Sequence, residues 1–371
     1  MRLSSAFRES ELARNIAGNI AKATTRRWNI MEFCGTHTVA IFRHGLKAML
    51  PGYINLVSGP GCPVCVTSRN DIDRILYLAD LPGTIVATYG DMMKVPGSGM
   101  SLSDKRALGA DVRVVYSIMD AVGIARANPP ARVIFNAVGF ETTAPSTAAV
   151  VRGACSEGID NFHILSLHKV TPPVVTALLD GGTEVDGFLC PGHVCSIIGS
   201  RPLEPVAAGY KKPCVIAGFE PADVLQGILM LVRQLEEARS EVEIEYSRGV
   251  RPEGNTNALA VMDEVFCRVP AEWRGIGEVD GTGLKLREEF AAFDAERFID
   301  REIVSEPDPP GCQCGEVLRG EIVPTDCALF GSACNPENPV GPCMVSSEGS
   351  CATYYQYAEK TRRQYEDKTG R

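Results

Sequence analysis

Arg132-Val133-Ile134-Phe135-Asn136-Ala137-Val138-Gly139-Phe140-Glu141-Thr142-Thr143 is the stretch on which the fold turns. Its apolar side chains fall on both faces, which suits a strand covered on both sides in a parallel sheet, and Gly139 stops it. Glu141-Thr142-Thr143 then stands at the carboxyl end, where parallel sheets carry their ligand sites. The theme recurs at Ile54 to Val57, Thr84 to Thr88, Val112 to Tyr116, His163 to Leu167, Gly187 to Cys190 and Cys214 to Ala217, with helical stretches between. These runs predict an α/β architecture of parallel strands and crossover helices.

Polar groups follow most of the runs: Gly90-Asp91, His168-Lys169, Pro191-Gly192-His193 and Gly218-Phe219-Glu220. Asp91, Glu141, His168, His193 and Glu220 are therefore expected to line a shared cleft, although each alone also fits a helix cap or a surface charge. Ala127-Asn128-Pro129-Pro130 predicts a hinge between two α/β halves, since consecutive prolines end a helix and stiffen the crossing. A helix is expected from about Ala222 to Ser240, followed by more polar and less periodic sequence up to Pro310. The Tyr-rich tail from Ala352 is expected to be helical and to pack back on the first domain.

The chain has 371 residues, 45% hydrophobic and 22% charged, enough for two or three domains with separate cores. A net charge of -9 with no basic stripe argues against a nucleic-acid or anionic-membrane partner. Met1 to Arg8 lacks the apolar stretch of a secretory signal, and no apolar run is long enough to span a bilayer, so a cytoplasmic location is expected. In that reducing compartment the 14 cysteines point to metal binding or thiol chemistry rather than to structural disulfides.

Phe33-Cys34-Gly35-Thr36-His37-Thr38 puts a thiol and an imidazole three residues apart where a strand passes into a helix. Unpaired backbone N–H groups there stabilise a thiolate, and the histidine can take its proton or share a metal. Gly59-Pro60-Gly61-Cys62-Pro63-Val64-Cys65 holds a Cys-x-x-Cys pair, spaced for a reversible disulfide or for one soft metal. Cys312, Cys314, Cys327, Cys334, Cys343 and Cys351 crowd a segment rich in Gly, Pro and Asn, and look like ligands of an Fe-S cluster or zinc. Spacing alone does not choose four of these six. The sequence contains neither a P-loop nor a full Gly-x-Gly-x-x-Gly, so nothing requires a nucleotide.

Taken together, Cys34-Gly35-Thr36-His37-Thr38, Gly59 to Cys65, Gly139-Phe140-Glu141-Thr142-Thr143, Pro191-Gly192-His193-Val194 and Gly341-Pro342-Cys343-Met344-Val345-Ser346-Ser347-Glu348-Gly349 resemble the HypD family of [NiFe]-hydrogenase maturation factors. The resemblance implies two parallel-sheet α/β domains facing one another across a cleft, and a third α+β domain carrying a [4Fe-4S] cluster. Mapped on this chain, the domains fall at residues 12–127 with the tail 352–371 packed on them, at 128–235, and at 236–351 together with 1–11. The family's cluster spacing falls on Cys312, Cys327, Cys334 and Cys351, leaving Cys314 and Cys343 as surplus thiols, a redox relay to the cleft.

The resemblance further implies a scaffold that works with a HypC-type small chaperone. It would hold an iron while cyanide, delivered by a HypE-type donor as a thiocyanate, and carbon monoxide are added to it. The Fe(CN)2CO unit would then pass to the hydrogenase large subunit. In this reading Cys34 is an iron ligand, His37 a base or alternative ligand, and Cys62 and Cys65 a dithiol that helps release cyanide. Two other readings compete: a ferredoxin-linked thiol-disulfide oxidoreductase, which predicts no second iron, and a structural zinc module, which predicts tolerance of Cys34→Ala.

Overall fold

The run that ends at Gly139 forms an inner strand of a four-stranded sheet in the computed structural model, which describes residues 10–357. In chain order the strands are β1 (Trp28–Glu32), β2 (Ile54–Ser58), β3 (Thr84–Thr88), β4 (Asp111–Val114), β5 (Arg132–Gly139), β6 (Phe162–His168), β7 (Gly187–Pro191), β8 (Cys214–Ala217), β9 (Val242–Ile244), β10 (Phe266–Trp273) and β11 (Gly277–Leu286). One sheet has the order β4-β3-β5-β6 and the other β2-β1-β7-β8-β9, and every pairing in both is parallel. Val133, Ile134, Phe135 and Ala137 of β5 have no exposed surface, as strands covered by helices on both faces require.

The sheets correct the expected division of the chain. Strands on both sides of residue 127 share one sheet, so Ala127 to Pro130 is an internal connection of that sheet and not a hinge between halves. The other sheet is made of residues 28–58 and 187–244, because the chain leaves after β2, builds its neighbour, and returns to seat β7 beside β1. Ile30 and Met31 of β1 are fully buried, and β2 covers only one edge of that strand, so its other edge must be filled from far along the chain. Short sequence spacing says nothing of such a return.

The span expected to be a third domain is also divided. β9 pairs with β8 and so belongs to the second sheet. Beyond it β10 and β11 form an antiparallel ribbon, which lies against β6 and the helix Thr171–Asp180. Alternating burial along β10 is the mark of a half-covered strand, overlooked in a stretch that reads as merely polar. Residues 1–9, expected to join this region, lie outside the described residues. The helix Ser10–Ala23 packs on the helix Pro221–Glu236, with Ile16 and Ile20 in one apolar cluster with Val224, Ile228 and Leu231. At the far end residues 350–357 are helical, and Tyr354 meets the ring of Phe42 at 4.3 Å, while residues 358–371 lie outside the described residues. Among the described residues no helix is long and apolar enough to cross a membrane.

Candidate functional site

Cys34 follows β1 directly. Its backbone is extended and caps the helix Gly35–Arg43. β2 ends in the same way: Cys62 caps the short helix Pro63–Val66, Pro63 supplies a pre-set first turn, and the Cys62 sulfur accepts the Cys65 N–H at 3.2 Å. Cys62 and Cys65 are joined as a disulfide, and both are buried. Adjacent strands thus bring the two thiol loops together. The Gly35 N–H donates to the Gly61 carbonyl at 3.2 Å, and a Cβ on Gly61 would collide with the backbone N and Cα of Cys34. Position 61 is glycine because the Cys34 backbone occupies the space of a side chain.

His37 lies one turn into the helix, with no exposed surface. Its Nε2 stands 3.0 Å from the Gly218 carbonyl, which only accepts, so the hydrogen is assigned to Nε2 and the lone pair to Nδ1. That Nδ1 is buried and has no hydrogen-bond partner among the described residues. Burial lowers His37 to about 4, which keeps the ring neutral at physiological pH. Phe219 stands between two imidazoles, 4.7 Å from His37 and 4.9 Å from His193. Cys34 departs from expectation: burial, reinforced by the nearby Glu348 carboxylate, pushes its thiol up to about 12, outweighing the helix N-terminus. Such a thiol stays protonated in the absence of a bound cation, and coordination to a metal would displace its proton.

A cavity of about 540 Å3 opens beside these groups, between the carboxyl ends of the two sheets. Thr36, Gly61, His193 and Phe219 line it from one side, and Tyr89, Asp91 and Thr143 from the other. Of the five cleft candidates, Asp91 and His193 are in this lining. Asp91 accepts bonds from Ser346 Oγ at 3.1 Å and the Ser347 N–H at 3.3 Å, so the C-terminal segment closes over the cavity there. Glu348 does the same on the opposite side, accepting from Thr36 Oγ1 at 2.6 Å.

The other three candidates stand elsewhere. Glu141 is buried and bound by the Thr171 N–H at 2.7 Å, and burial raises it to about 7. His168 borders a different cavity, of about 420 Å3, with Lys169 and Asp71. Glu220 caps the helix Pro221–Glu236. A residue at a strand end can turn towards the cleft or back under the sheet, and the strand pattern does not say which. Phe219 and Glu348 were not singled out, though each lies inside a motif that was.

The C-terminal cysteines approach the same place. The Cys65 sulfur is 4.0 Å from the Pro342 carbonyl, next to Cys343. The Cys343 thiol lies near those of Cys314 and Cys351, and Cys312 lies near Cys314. The neighbouring Cys314 and Cys343 thiols lower the Cys351 thiol to about 5. Cys334 accepts the Val340 N–H at 3.4 Å, and a Cβ on Gly341 would run into the sulfurs of Cys314 and Cys312. Cys327 is half-buried and donates to the Gly311 carbonyl at 3.7 Å. Among the described residues no group of three or more His, Cys, Asp or Glu is arranged to hold a metal ion. The donor chemistry nonetheless suits a thiolate-bound centre: converging sulfurs, one of them easily ionised, with a backbone N–H aimed at another.

With this geometry in view, comparison with known proteins is informative. The family model HypD, described as the hydrogenase formation hypA family, matches residues 10–358. The hydrogenase maturation factor HypD of Cupriavidus necator is 50% identical over 363 residues, covering 95% of this chain and 96% of that protein. The factors of the same name from Azotobacter vinelandii and Rhodobacter capsulatus are 46% and 44% identical, over 95% and 96% of this chain and 96% and 98% of theirs. The chain therefore belongs to the HypD family of hydrogenase maturation factors.

Proposed function

We propose that the chain is the scaffold on which, together with a HypC-type small chaperone, the Fe(CN)2CO unit of a [NiFe] hydrogenase is built. The observation that carries the reading is the continuity of the thiols. Cys34 abuts the Cys62–Cys65 loop, and Cys65 abuts the segment holding Cys343, Cys314 and Cys351. Iron is the cargo. Cys34 binds it as a thiolate, and the displaced proton leaves to solvent, either relayed by the lone pair on His37 Nδ1 or directly where Nδ1 instead adds a second bond to the metal. Thiolate anchors suit iron that carries strong-field cyanide and carbonyl ligands.

Cyanide arrives as a thiocyanate on the HypE-type donor. The reduced Cys62/Cys65 pair supplies two electrons and two protons: the S–CN bond breaks, a Cys62–Cys65 disulfide forms, and the donor thiol and hydrogen cyanide leave. Cys312, Cys327, Cys334 and Cys351, the set that the family resemblance implies, would hold a [4Fe-4S] cluster, with Cys314 and Cys343 between it and the dithiol. Such a cluster supplies electrons one at a time. The ferredoxin-linked oxidoreductase reading uses the same dithiol but leaves the buried Cys34 and the free Nδ1 of His37 without a task.

The test is anaerobic purification with the co-expressed small partner, followed by iron and sulfide assays and infrared spectroscopy of metal-bound cyanide and carbonyl stretches. Iron beyond that of one cluster, together with those bands, both lost in Cys34→Ala, is the expected result. Cluster iron without bands, with every maturation partner present, would favour the oxidoreductase.

A further inference from the structure

Glu32 closes β1 two residues before Cys34, and its side chain is 3% exposed. A carboxyl so buried is costly unless hydrogen-bond donors meet it, and here hydroxyl donors come from both thiol loops. Thr38 Oγ1, in the helix that Cys34 caps, lies 2.8 Å from each carboxyl oxygen. From the other loop Ser58 Oγ, the last residue of β2 and four before Cys62, reaches Oε1 at 2.6 Å. The Glu32 backbone joins in, its carbonyl accepting the Gly59 N–H at 2.9 Å.

We propose that Glu32 is a positioning residue that clamps the Cys34 loop to the Cys62–Cys65 loop, so that the two thiol sites keep one fixed relative geometry. A hydrophobic residue at this place would fill the same volume and leave the Ser58 hydroxyl and the Thr38 hydroxyl with no common partner. The glycine packing at position 61 holds the backbones close, and the carboxyl sets how each loop is turned within that contact. The clamp rests on the reading that Cys34 and the dithiol work as one site, yet it makes its own prediction about thiol behaviour without any partner present.

The experiment uses the purified full-length chain and two readouts by peptide mass spectrometry. One is the rate at which iodoacetamide labels Cys34, and the other is the midpoint potential of the Cys62–Cys65 couple in dithiothreitol redox buffers. Glu32→Ala is expected to speed Cys34 labelling about tenfold, the factor that one lost buried hydrogen bond corresponds to, and to shift the potential. Glu32→Gln, which keeps an acceptor and the volume, is expected to restore most of both. Since Glu32→Ala can fail to fold, Ser58→Ala and Thr38→Val remove one arm each: the first should move mainly the potential, the second mainly the labelling. Folded variants that all show wild-type labelling and potential would overturn the clamp. Loss of the infrared bands in Cys34→Ala alongside unchanged thiol behaviour in the Glu32 series would sink the clamp alone. Altered thiol behaviour with the bands intact in Cys34→Ala would instead sink the scaffold reading.

Discussion

Cys34 and Cys62 stand at the ends of adjacent buried strands, whereas Cys312 to Cys351 lie in a segment of turns and very short helices. In the first region hydrogen bonding between β1 and β2 fixes where each thiol goes, and the sulfurs inherit the precision of the sheet. In the second region no sheet does this. Its order comes from local turns, from thiol–thiol contacts, and from packing of Pro342–Val345 against the helix that carries Cys65. The strand-end site is thus held by the sheet itself, while the C-terminal segment is held by local turns and side-chain packing, so a bound centre would stabilise the second region more than the first.

Five substitutions test that difference, and the largest effect belongs to the strand-end site. Cys34→Ala should abolish maturation of a [NiFe] hydrogenase in a host relying on this chain, measured as hydrogen uptake, while leaving the circular dichroism spectrum unchanged. Full uptake would remove Cys34 from the mechanism. In the C-terminal region, Cys327→Ser should cost the bound iron and sulfide and Cys343→Ser should retain them. The reverse outcome would make Cys343 a ligand in place of Cys327, as the thiol contacts of Cys343 would allow.

Gly61→Ala forces a methyl group into the Cys34 backbone and should destabilise the protein by about 3 kcal/mol, read by urea unfolding. A loss within error would mean that the two loops separate easily. Phe219→Leu, which removes the ring between His37 and His193, should cost about 1 kcal/mol in the same assay.

A pH test probes the buried carboxyl beneath the cleft. Burial raises Glu141 to about 7 from an ordinary 4.5, so the folded state keeps a proton that the unfolded chain releases. Its contribution to stability is full below 4.5 and is lost as pH rises through 7. Glu141→Gln stays neutral throughout. Its stability relative to wild type should therefore rise between about pH 5 and pH 8, by at most about 3 kcal/mol, a difference in which the other titrating groups cancel. A flat difference would show that Glu141 stays ionised in the folded protein.

Much of the fold was legible because parallel strands buried on both faces leave continuous apolar runs. Thr84 to Thr88 and Cys214 to Ala217 were read to the residue, and the others to within two residues at either end. The antiparallel ribbon was missed, since half-covered strands interrupted by Pro270 and flanked by Gly275 and Gly277 look like loop. In the candidate site, Cys34, His37 and the Cys62–Cys65 pair stand out in the sequence by their spacing, and adjacent strands bring their loops together. Glu32 was not, since a lone glutamate at the end of an apolar run gives no sign that Ser58 and Thr38 enclose it.

By itself, the sequence determined the parallel α/β character, the two cysteine-rich regions and the chain's kinship, because these are local patterns of residue type and spacing. Only the tertiary structure decided that β7 seats beside β1, that strands across residue 127 share one sheet, and that the Ser346 to Glu348 segment closes over the cavity at Asp91 and Thr36. The pairing of strands distant in the chain follows from which buried edges must find hydrogen-bond partners. That requirement belongs to the whole folded molecule and leaves no mark in any short stretch of it.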